Sequence, residues 1–472
     1  MWQQDLDCST PNGSYLEMSF IGELHSLKVA VVGAGVTGRA TVKYLVKQGI
    51  APIILDEKER EIEGIKSEVY RGQLIDLAIV SPGWKPSHPT IESLKTQGVK
   101  LISEIDFAWR IKLEVAPNQK WISLTGTNGK TTSVQMINSI FKEAGKNGLA
   151  CGNVGTTVIE ALSAPTPYEF LALELSSFQI EWSNEAKYEA CAILNIAEDH
   201  IDWHGSFDAY ANSKMKLLEF SKSAILNADD SEVVLRSSSW NGRKIFYSLE
   251  TPAPGELGLV EEILVDRAFI KDPSHAESLA ELADISPAVP HNVSNALAAA
   301  GLSRVIGISH ADIKKGLAAF VLDHHRIEKV LERDGITWVN DSKATNPHAA
   351  MASILSQEKV VWIAGGLAKG ASMEELVTRA APRLQAAILI GEDRAVIQSA
   401  LKEYAPNIPV EVIDDYDSSL DLMKRVVLEC QKFARVGDVV LLAPACASMD
   451  QFTSYVQRGE LFAQAVREIV GM

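Results

Sequence analysis

Residues 121–132 read WISLTGTNGKTT. An apolar run with Trp121, Ile122 and Leu124 meets a loop carrying Gly126 and Gly129, and Lys130, Thr131 and Thr132 follow. Downstream, Val134, Ile137, Phe141 and Ala144 recur on one face of a helical pattern. Strand, glycine loop and helix in that order form the context in which a phosphate-binding loop works. The glycines let backbone N–H groups approach phosphate oxygens, and the helix start adds partial positive charge. Gly126, Thr127, Asn128, Gly129, Lys130, Thr131 and Thr132 are therefore expected around a nucleoside triphosphate, with Lys130 on the β- and γ-phosphates and the Thr131 hydroxyl on Mg²⁺. The strict pattern has a glycine where this chain has Leu124. The competing reading is an ordinary strand-to-helix turn with a solvated lysine. Two glycines, a lysine and paired threonines at one junction speak against it.

The chain has 472 residues, too many for one core, and domain-size priors give two to four domains. Its apolar content of 46% suits a soluble protein with sizeable cores, and a net charge of −16 excludes general affinity for nucleic acid or anionic membrane. Five scattered cysteines (Cys8, Cys151, Cys191, Cys430, Cys446) contain no C-x-x-C pair, so a reducing compartment without a disulfide framework or zinc site is expected. The first residues lack a basic start and an apolar stretch, and no apolar run approaches membrane-spanning length; a cytoplasmic protein is expected.

Upstream of the central stretch, KVAVVGAGVTGRATVKYLVKQGIAPIILDEKER places a buried-type strand at Val29–Val32 before Gly33, Gly35 and Gly38. A helix, a strand at Ile53–Leu55 and Asp56 complete a Rossmann-like βαβ unit. A lone G-x-G-x-x-G fits NAD, FAD or any other nucleotide diphosphate, because its physics is phosphate on a helix N-terminus. A glycine turn needed only for packing is the alternative. Ser81, Pro82 and Gly83 follow another apolar strand and line the same crevice in this reading, and residues 113–120 read as a linker.

Beyond the phosphate loop, CGNVG carries Asn153, FLALELSSFQIEW runs a strand into Glu174, Ser176 and Gln179, and CAILNIAEDH runs another into Asn195, Asp199 and His200. Ligands of open α/β sheets bind beyond the carboxyl ends of strands, so these groups can converge with Lys130. Glu174 suits Mg²⁺, a hard cation that takes a few protein oxygens. Lys214 borders a helical face marked by Ala211, Met215 and Leu218. It is either a snorkelling side chain or a carbamate able to ligate metal. Asn292 and Asn295, in PHNVSNALAAAG, either face a nucleoside or cap a helix. Further on, DHHRIEKV, NDSKATNP, VVWIAGGLAKG and VVLLAPACASMDQF repeat the strand-to-loop design, with small polar residues and isolated cations at the loop ends. That combination suits an anionic small molecule or the second side of a nucleotide site.

TGTNGKTT, LELSSFQIE, EDHIDWHG with a following S-K, HHRIE, NDSKATNP and PACASMDQF together resemble the Mur ligase family, in its D-glutamate-adding branch, from about Lys28 to the C-terminus. The resemblance implies an α/β protein of three domains. Residues 1–117 would form a Rossmann-like domain for a UDP-linked substrate, 118–322 a central P-loop domain for ATP, and 323–472 a Rossmann-like domain for the amino acid. The G-x-G-x-x-G would then hold uridine diphosphate and not a nicotinamide. The implied activity is ATP-dependent addition of D-glutamate to UDP-N-acetylmuramoyl-L-alanine by a cytoplasmic monomer in peptidoglycan synthesis. Another Mur-type or a folylpolyglutamate-type amide ligase is the alternative.

By motif position, Gly35, Val36, Thr37, Asp56, Ser81, Pro82 and Gly83, with Asn153, Ser176 and Gln179, would contact the UDP substrate. Asn292, Asn295, Arg326, Asp341 and Lys343 would join the phosphate loop on ATP. Thr345, Lys369, Ser448 and Tyr455 would hold D-glutamate. Thr131 and Glu174 would bind one Mg²⁺, with His200 and a carbamylated Lys214 on a second. Lys130, Asn153, His200 and Lys214 would be the catalytic set. Two departures bear on this: Leu367 and Ala368 stand where some relatives have Asp-Gly, and Tyr455 where phenylalanine is common.

Overall fold

The computed structural model describes residues 19–272 and 274–471. The polar leader, with Cys8 and the expected absence of a signal peptide, lies outside the described residues. The chain divides into two compact units, residues 1–117 with 162–167, and residues 118–161 with 168–472.

The first unit is built on a four-stranded sheet in the order Ile53–Leu55, Val29–Val32, Leu77–Val80, Lys100–Ser103, every pair parallel. Val29–Val32 and Leu77–Val80 are buried at every position, as strands covered on both faces must be. Helix Val36–Lys47 follows the first strand directly. The linker is shorter than its sequence suggests. Helix Glu104–Val115 takes up residues 113–115, because Phe107, Ala108 and Ile111 continue a buried face, and Lys112 Nζ bonds the Pro117 carbonyl at 2.7 Å beyond the helix end.

The second unit holds a nine-stranded and a six-stranded sheet. In the larger, Lys120–Thr125 lies between Phe170–Glu174 and Ala190–Ile193, and the pairing is parallel from Gly148–Gly152 across to Leu257–Val260. Strands Ile263–Asp266 and Glu277–Glu281 extend that edge antiparallel, an addition absent from the sequence reading. Helices Lys130–Glu143 and Pro290–Val305 cover one face, where Ile137, Ile140 and Phe141 meet Leu297 and the fully buried Ala298, Ala299 and Ala300. The alanines let the second helix lie close: a Cβ on Gly301 would stand 2.9 Å from both Ile225 and Leu257.

The six-stranded sheet runs Glu328–Arg333, Ile336–Asn340, Val439–Leu442, Val360–Gly365, Leu384–Ile390, Val410–Val412, antiparallel at its first pair and parallel elsewhere. Its faces pack two separate cores, one with Met351, Leu376 and Ile397, the other with Leu422, Val426 and Phe462. It is a doubly wound layer, and its parallel strands all deliver their loops to the same end. Among the described residues no helix is long and apolar enough to cross a membrane.

Candidate active site

The loop after Lys120–Thr125 has the strained geometry that phosphate binding uses. Gly129 sits at φ +81°, and a Cβ there would lie 2.2 Å from Asn295 Oδ1. The loop is braced from below: Asn128 N donates to Asn195 Oδ1 at 2.7 Å, and Thr127 Oγ1 lies 2.9 Å from the Tyr210 hydroxyl. Lys130 curls back and donates to the Gly126 and Thr127 carbonyls, both at 2.8 Å. Burial holds its pKa below the ordinary lysine value, helped by Lys343 and Arg326 and opposed by Glu174 and Asp199. A triphosphate offers this lysine better acceptors than two carbonyls of its own loop.

Around the loop lies a cavity of about 440 Å³. Its wall gathers residues that are far apart in sequence: residues 127 to 132, Asn153, Glu174, His200, Asn292, Asn295, Arg326, Asp341, Lys343, Thr345 and Lys369. Glu174, 1% exposed, ends its strand with Oε1 accepting from Asn153 Nδ2 at 3.1 Å, while Oε2 is buried without a hydrogen-bond partner. His200 adopts φ +53° ahead of the short helix Ile201–His204, its Nε2 3.7 Å from Asp199 Oδ2. Burial lowers its pKa against the pull of Asp199, so the ring is neutral near pH 7. Burial would raise the Asp199 pKa, but Lys369, His200 and Lys130 outweigh it and hold the carboxyl ionised.

From the six-stranded sheet, Lys369 reaches Asp199 at 3.5 Å and Asn346 Nδ2 donates to Asn128 Oδ1 at 2.9 Å. Asn128 Nδ2 in turn meets His348 Nδ1 at 3.1 Å. Lys343 lies over the Tyr455 ring, 3.9 Å from its centroid, and burial beside Arg326 lowers its pKa to about 8. Asp341 is buried at the cavity wall, takes a hydrogen bond from Ser353, and is pushed up to about 6 by burial. Asn292 Nδ2 is engaged by the Pro287 carbonyl at 3.1 Å.

Other expected residues stand off this wall. Lys214 does not snorkel. It is 2% exposed, donates to the Gly126 carbonyl at 2.9 Å, and has Nζ 4.6 Å from the Tyr210 ring centroid. Its helix packs beneath the phosphate loop instead of facing water, and burial, with Lys130 nearby, holds its pKa well below the ordinary value. Ser176 and Gln179 form a capping box at helix Ser177–Trp182: Ser176 Oγ accepts from Gln179 N, and Gln179 Oε1 accepts from Ser176 N. Ser448 and Tyr455 belong to the same loop cluster as Lys369 but do not line the cavity.

In the first unit, Gly33 takes φ +95° and helix Val36–Lys47 begins at Gly35. Ser81 Oγ donates to the Gly33 carbonyl at 3.2 Å, and Asp56 Oδ2 accepts from Ala34 N at 2.7 Å. Asp56 therefore braces the glycine loop itself. Sequence gives no signal for His348, which looks like any residue early in a helix, and marks Asn346 only as one residue of a polar loop.

No group of three or more His, Cys, Asp or Glu among the described residues is placed to hold a metal by itself. Mg²⁺ needs less, since it keeps waters and phosphate oxygens, and the orphaned Oε2 of Glu174, in a cavity that Thr131 also lines, fits it. Lys214 as it stands does not present a metal ligand, because its Nζ is turned to the Gly126 carbonyl.

Three sets of known proteins bear on this site. The Mur ligase MurD-like N-terminal domain matches residues 27–103, the Mur ligase middle domain 124–303, and the Mur ligase glutamate ligase domain 325–446. The UDP-N-acetylmuramoylalanine--D-glutamate ligase of Streptomyces coelicolor is 44% identical over 95% of this chain and 99% of its own length. The protein of that name from Thermobifida fusca is 42% identical over 95% and 100%. Among solved structures, the fold is similar to a pseudomurein peptide ligase type C from Methanothermus fervidus (TM-score 0.58, 19% identity, 94% of this chain and 99% of that one). It is also similar to the UDP-N-acetylmuramate-alanine ligase of Thermotoga maritima (TM-score 0.57, 16% identity, 94% and 99%).

Proposed function

This chain belongs to the Mur ligase family, and from that premise we propose that it joins D-glutamate to UDP-N-acetylmuramoyl-L-alanine, using ATP, in the making of peptidoglycan precursors. What supports this most is one cavity that carries a phosphate loop with Lys130 on one side and Thr345 and Lys369, from the six-stranded sheet, on the other. In this reading residues 1–117 take the UDP-linked substrate, 118–322 take ATP and 323–472 take D-glutamate. The protein acts as a cytoplasmic monomer.

A carboxylate is a poor acylating agent, so it must first gain a leaving group. The alanyl carboxylate attacks the γ-phosphorus, the bond to ADP breaks, and an acyl phosphate forms. Two anions meet in that step, and neutralising them is the main catalytic demand. Lys130 moves from the Gly126 and Thr127 carbonyls onto the phosphates. Asn153, oriented by Glu174, faces the reacting carboxylate. Lys343, Arg326 and Asn295 hold the nucleotide. Lys369 and Thr345 receive the amino acid, with Ser448 and Tyr455 behind them. The amine then attacks the acyl carbon, phosphate leaves and the amide remains.

Mg²⁺ would supply further charge neutralisation at the phosphoryl oxygens, held by Thr131 and Glu174. His200 would hold a second ion if Lys214 is carbamylated. A buried amine with a depressed pKa has the free lone pair needed to add to CO₂, losing a proton and gaining a negative oxygen.

Phosphate release measured with the UDP-linked substrate, ATP and a panel of amino acids tests the whole reading. Release that requires both the UDP-linked substrate and D-glutamate is expected. Release with ATP alone, or with a folate in place of the UDP substrate, overturns it.

A further inference from the structure

Arg458 is 0% exposed on the C-terminal helix Tyr455–Ile469 and forms no ion pair with a carboxylate among the described residues. Its guanidinium is satisfied by the loops leaving three adjacent strands. Nε donates to Ser342 Oγ at 3.0 Å and Nη2 to the Ser342 carbonyl at 3.0 Å, after strand Ile336–Asn340. Nη1 and Nη2 donate to the Cys446 carbonyl at 3.1 and 3.2 Å, after Val439–Leu442. Nη1 also reaches the Gly365 carbonyl, 3.4 Å away, at the end of Val360–Gly365. Ser342 Oγ closes the circuit by donating to the Tyr455 carbonyl at 2.8 Å.

A buried cation without an anion is expensive, and proteins normally pair it. Burial lowers the Arg458 pKa only to about 10, so the charge stays in place at neutral pH. Cys446 beside it is a neutral thiol, pushed up to about 12 by burial. Asp450 attracts the guanidinium from beyond ion-pair distance, and its Oδ2 accepts from Glu392 N at 2.8 Å. The loops gripped by this charge are those that carry Lys343 and Thr345, Lys369, and Ser448.

We propose that Arg458 is a positioning residue for the acceptor amino acid: its planar fork locks three strand-end loops in register, and its unneutralised charge favours an acceptor bearing two carboxylates. This rests on the ligase reading above and deepens it. The fork matters because five N–H donors in one plane can hold three loops at once, which a lysine cannot do. The charge matters because it lies in a dry layer beneath the site, where a field reaches a bound anion with little screening.

The test compares full-length wild type with Arg458→Met, Arg458→Lys and the milder Ser342→Ala, which removes one acceptor of the fork. KM for D-glutamate and for ATP, with saturating UDP-linked substrate, are read beside the thermal melting curve. Arg458→Met is expected to raise KM for D-glutamate by about tenfold or more and KM for ATP by a clearly smaller factor, since only Lys343 on the Ser342 loop faces the nucleotide. Arg458→Lys recovers part of that loss, and Ser342→Ala gives a smaller rise of the same selectivity. If Arg458→Met does not fold, the Lys and Ala variants still decide. Equal rises in both KM values, or a lysine variant no better than methionine, overturn the inference and leave the ligase reading intact. A wild type that ligates only a neutral amino acid overturns both.

Discussion

The glycine loop at residues 33–38 and the one at residues 126–130 both leave a buried strand and open a helix, yet they close on opposite charges. In the first, Asp56 Oδ2 accepts from Ala34 N and Ser81 Oγ donates to the Gly33 carbonyl, all within one small sheet. In the second, Lys130 donates to two carbonyls of its own loop, and Asn195, Asn346 and His348 brace Asn128. An acid that already holds the backbone makes a rigid cradle, and in the proposed reading only its amides are left to meet a diphosphate. A lysine held by weak acceptors makes a loop with a charge in reserve, released when phosphates arrive. In the proposed reading, binding uses the first arrangement and phosphoryl transfer the second.

The largest break in this comparison is Lys130→Ala. Removing a charge from a water-excluded site costs about 3–4 kcal/mol of barrier, a loss of about 10²–10³ in kcat. Phosphate release in single-turnover experiments is expected to fall below detection, while calorimetric binding of the UDP-linked substrate is unchanged. Normal ligation by the variant removes Lys130 from the chemistry.

The glycines separate the two loops in a second way. A Cβ on Gly38 would lie 1.8 Å from the Gly33 carbonyl oxygen, a backbone atom with nowhere to go. Gly38→Ala is therefore expected to cost about 1–3 kcal/mol of stability, read by denaturant titration, with KM for ATP unaltered. At Gly129 the obstacle is the Asn295 side chain, which can turn aside, and the penalty comes from φ +81°. Gly129→Ala should cost about 1–2 kcal/mol and appear mainly as a raised KM for ATP. Matching effects of the two variants on ATP would erase the distinction.

How much of this was legible in the sequence depended on what each residue packs against. Val29–Val32 and Leu77–Val80 stand out as unbroken apolar runs because both faces are covered. Leu257–Val260, Ile263–Asp266 and Glu277–Glu281 do not, since each mixes buried with exposed positions and their pairing is set by a distant edge. Residues 113–115 look like linker because Pro117 and Asn118 follow them, whereas they close helix Glu104–Val115 and Lys112 bonds across that turn. The phosphate loop was readable because its chemistry is local. Lys214 stood out but only as one of two alternatives, and Arg458 did not stand out at all, because a charged residue beside an apolar helical face ordinarily reaches water. Here the other side of the helix is filled by protein, and that depends on chain segments far away in sequence.

Titration sharpens the comparison further. Lys343 faces the cavity around the phosphate loop with its pKa lowered to about 8 by burial and by Arg326. Above that pH the free enzyme loses a cation meant for phosphate, so kcat/KM for ATP is expected to decline by about tenfold per pH unit beyond 8. Stability moves the other way. The folded state gives up this proton before the unfolded chain does, so the group's contribution to stability rises between about pH 8 and the ordinary lysine value of 10.5. Lys343→Arg should flatten the kinetic decline. A profile for the variant identical to wild type assigns the decline to another group.

The smallest effect is expected where the phosphate loop is braced from outside. His348 is half-buried and its pKa is lowered, chiefly by desolvation, so at neutral pH the ring can accept at Nδ1 from Asn128 Nδ2, 3.1 Å away. His348→Ala removes that one bond and leaves the Asn128–Asn346 pair, whose Asn346 also caps helix Pro347–Leu355. A single neutral hydrogen bond is worth about 0.5–1.5 kcal/mol, so KM for ATP should rise about two- to tenfold. The melting temperature should scarcely move, because the helix keeps its cap. Combining His348→Ala with Asn346→Asp, which preserves an N-capping oxygen but loses the donor to Asn128, gives a coupling energy. A coupling of zero would mean that the two braces act independently on Asn128. A clear non-zero value would mean that the phosphate loop feels the six-stranded sheet as one support, unlike the loop at residues 33–38, which its own sheet holds.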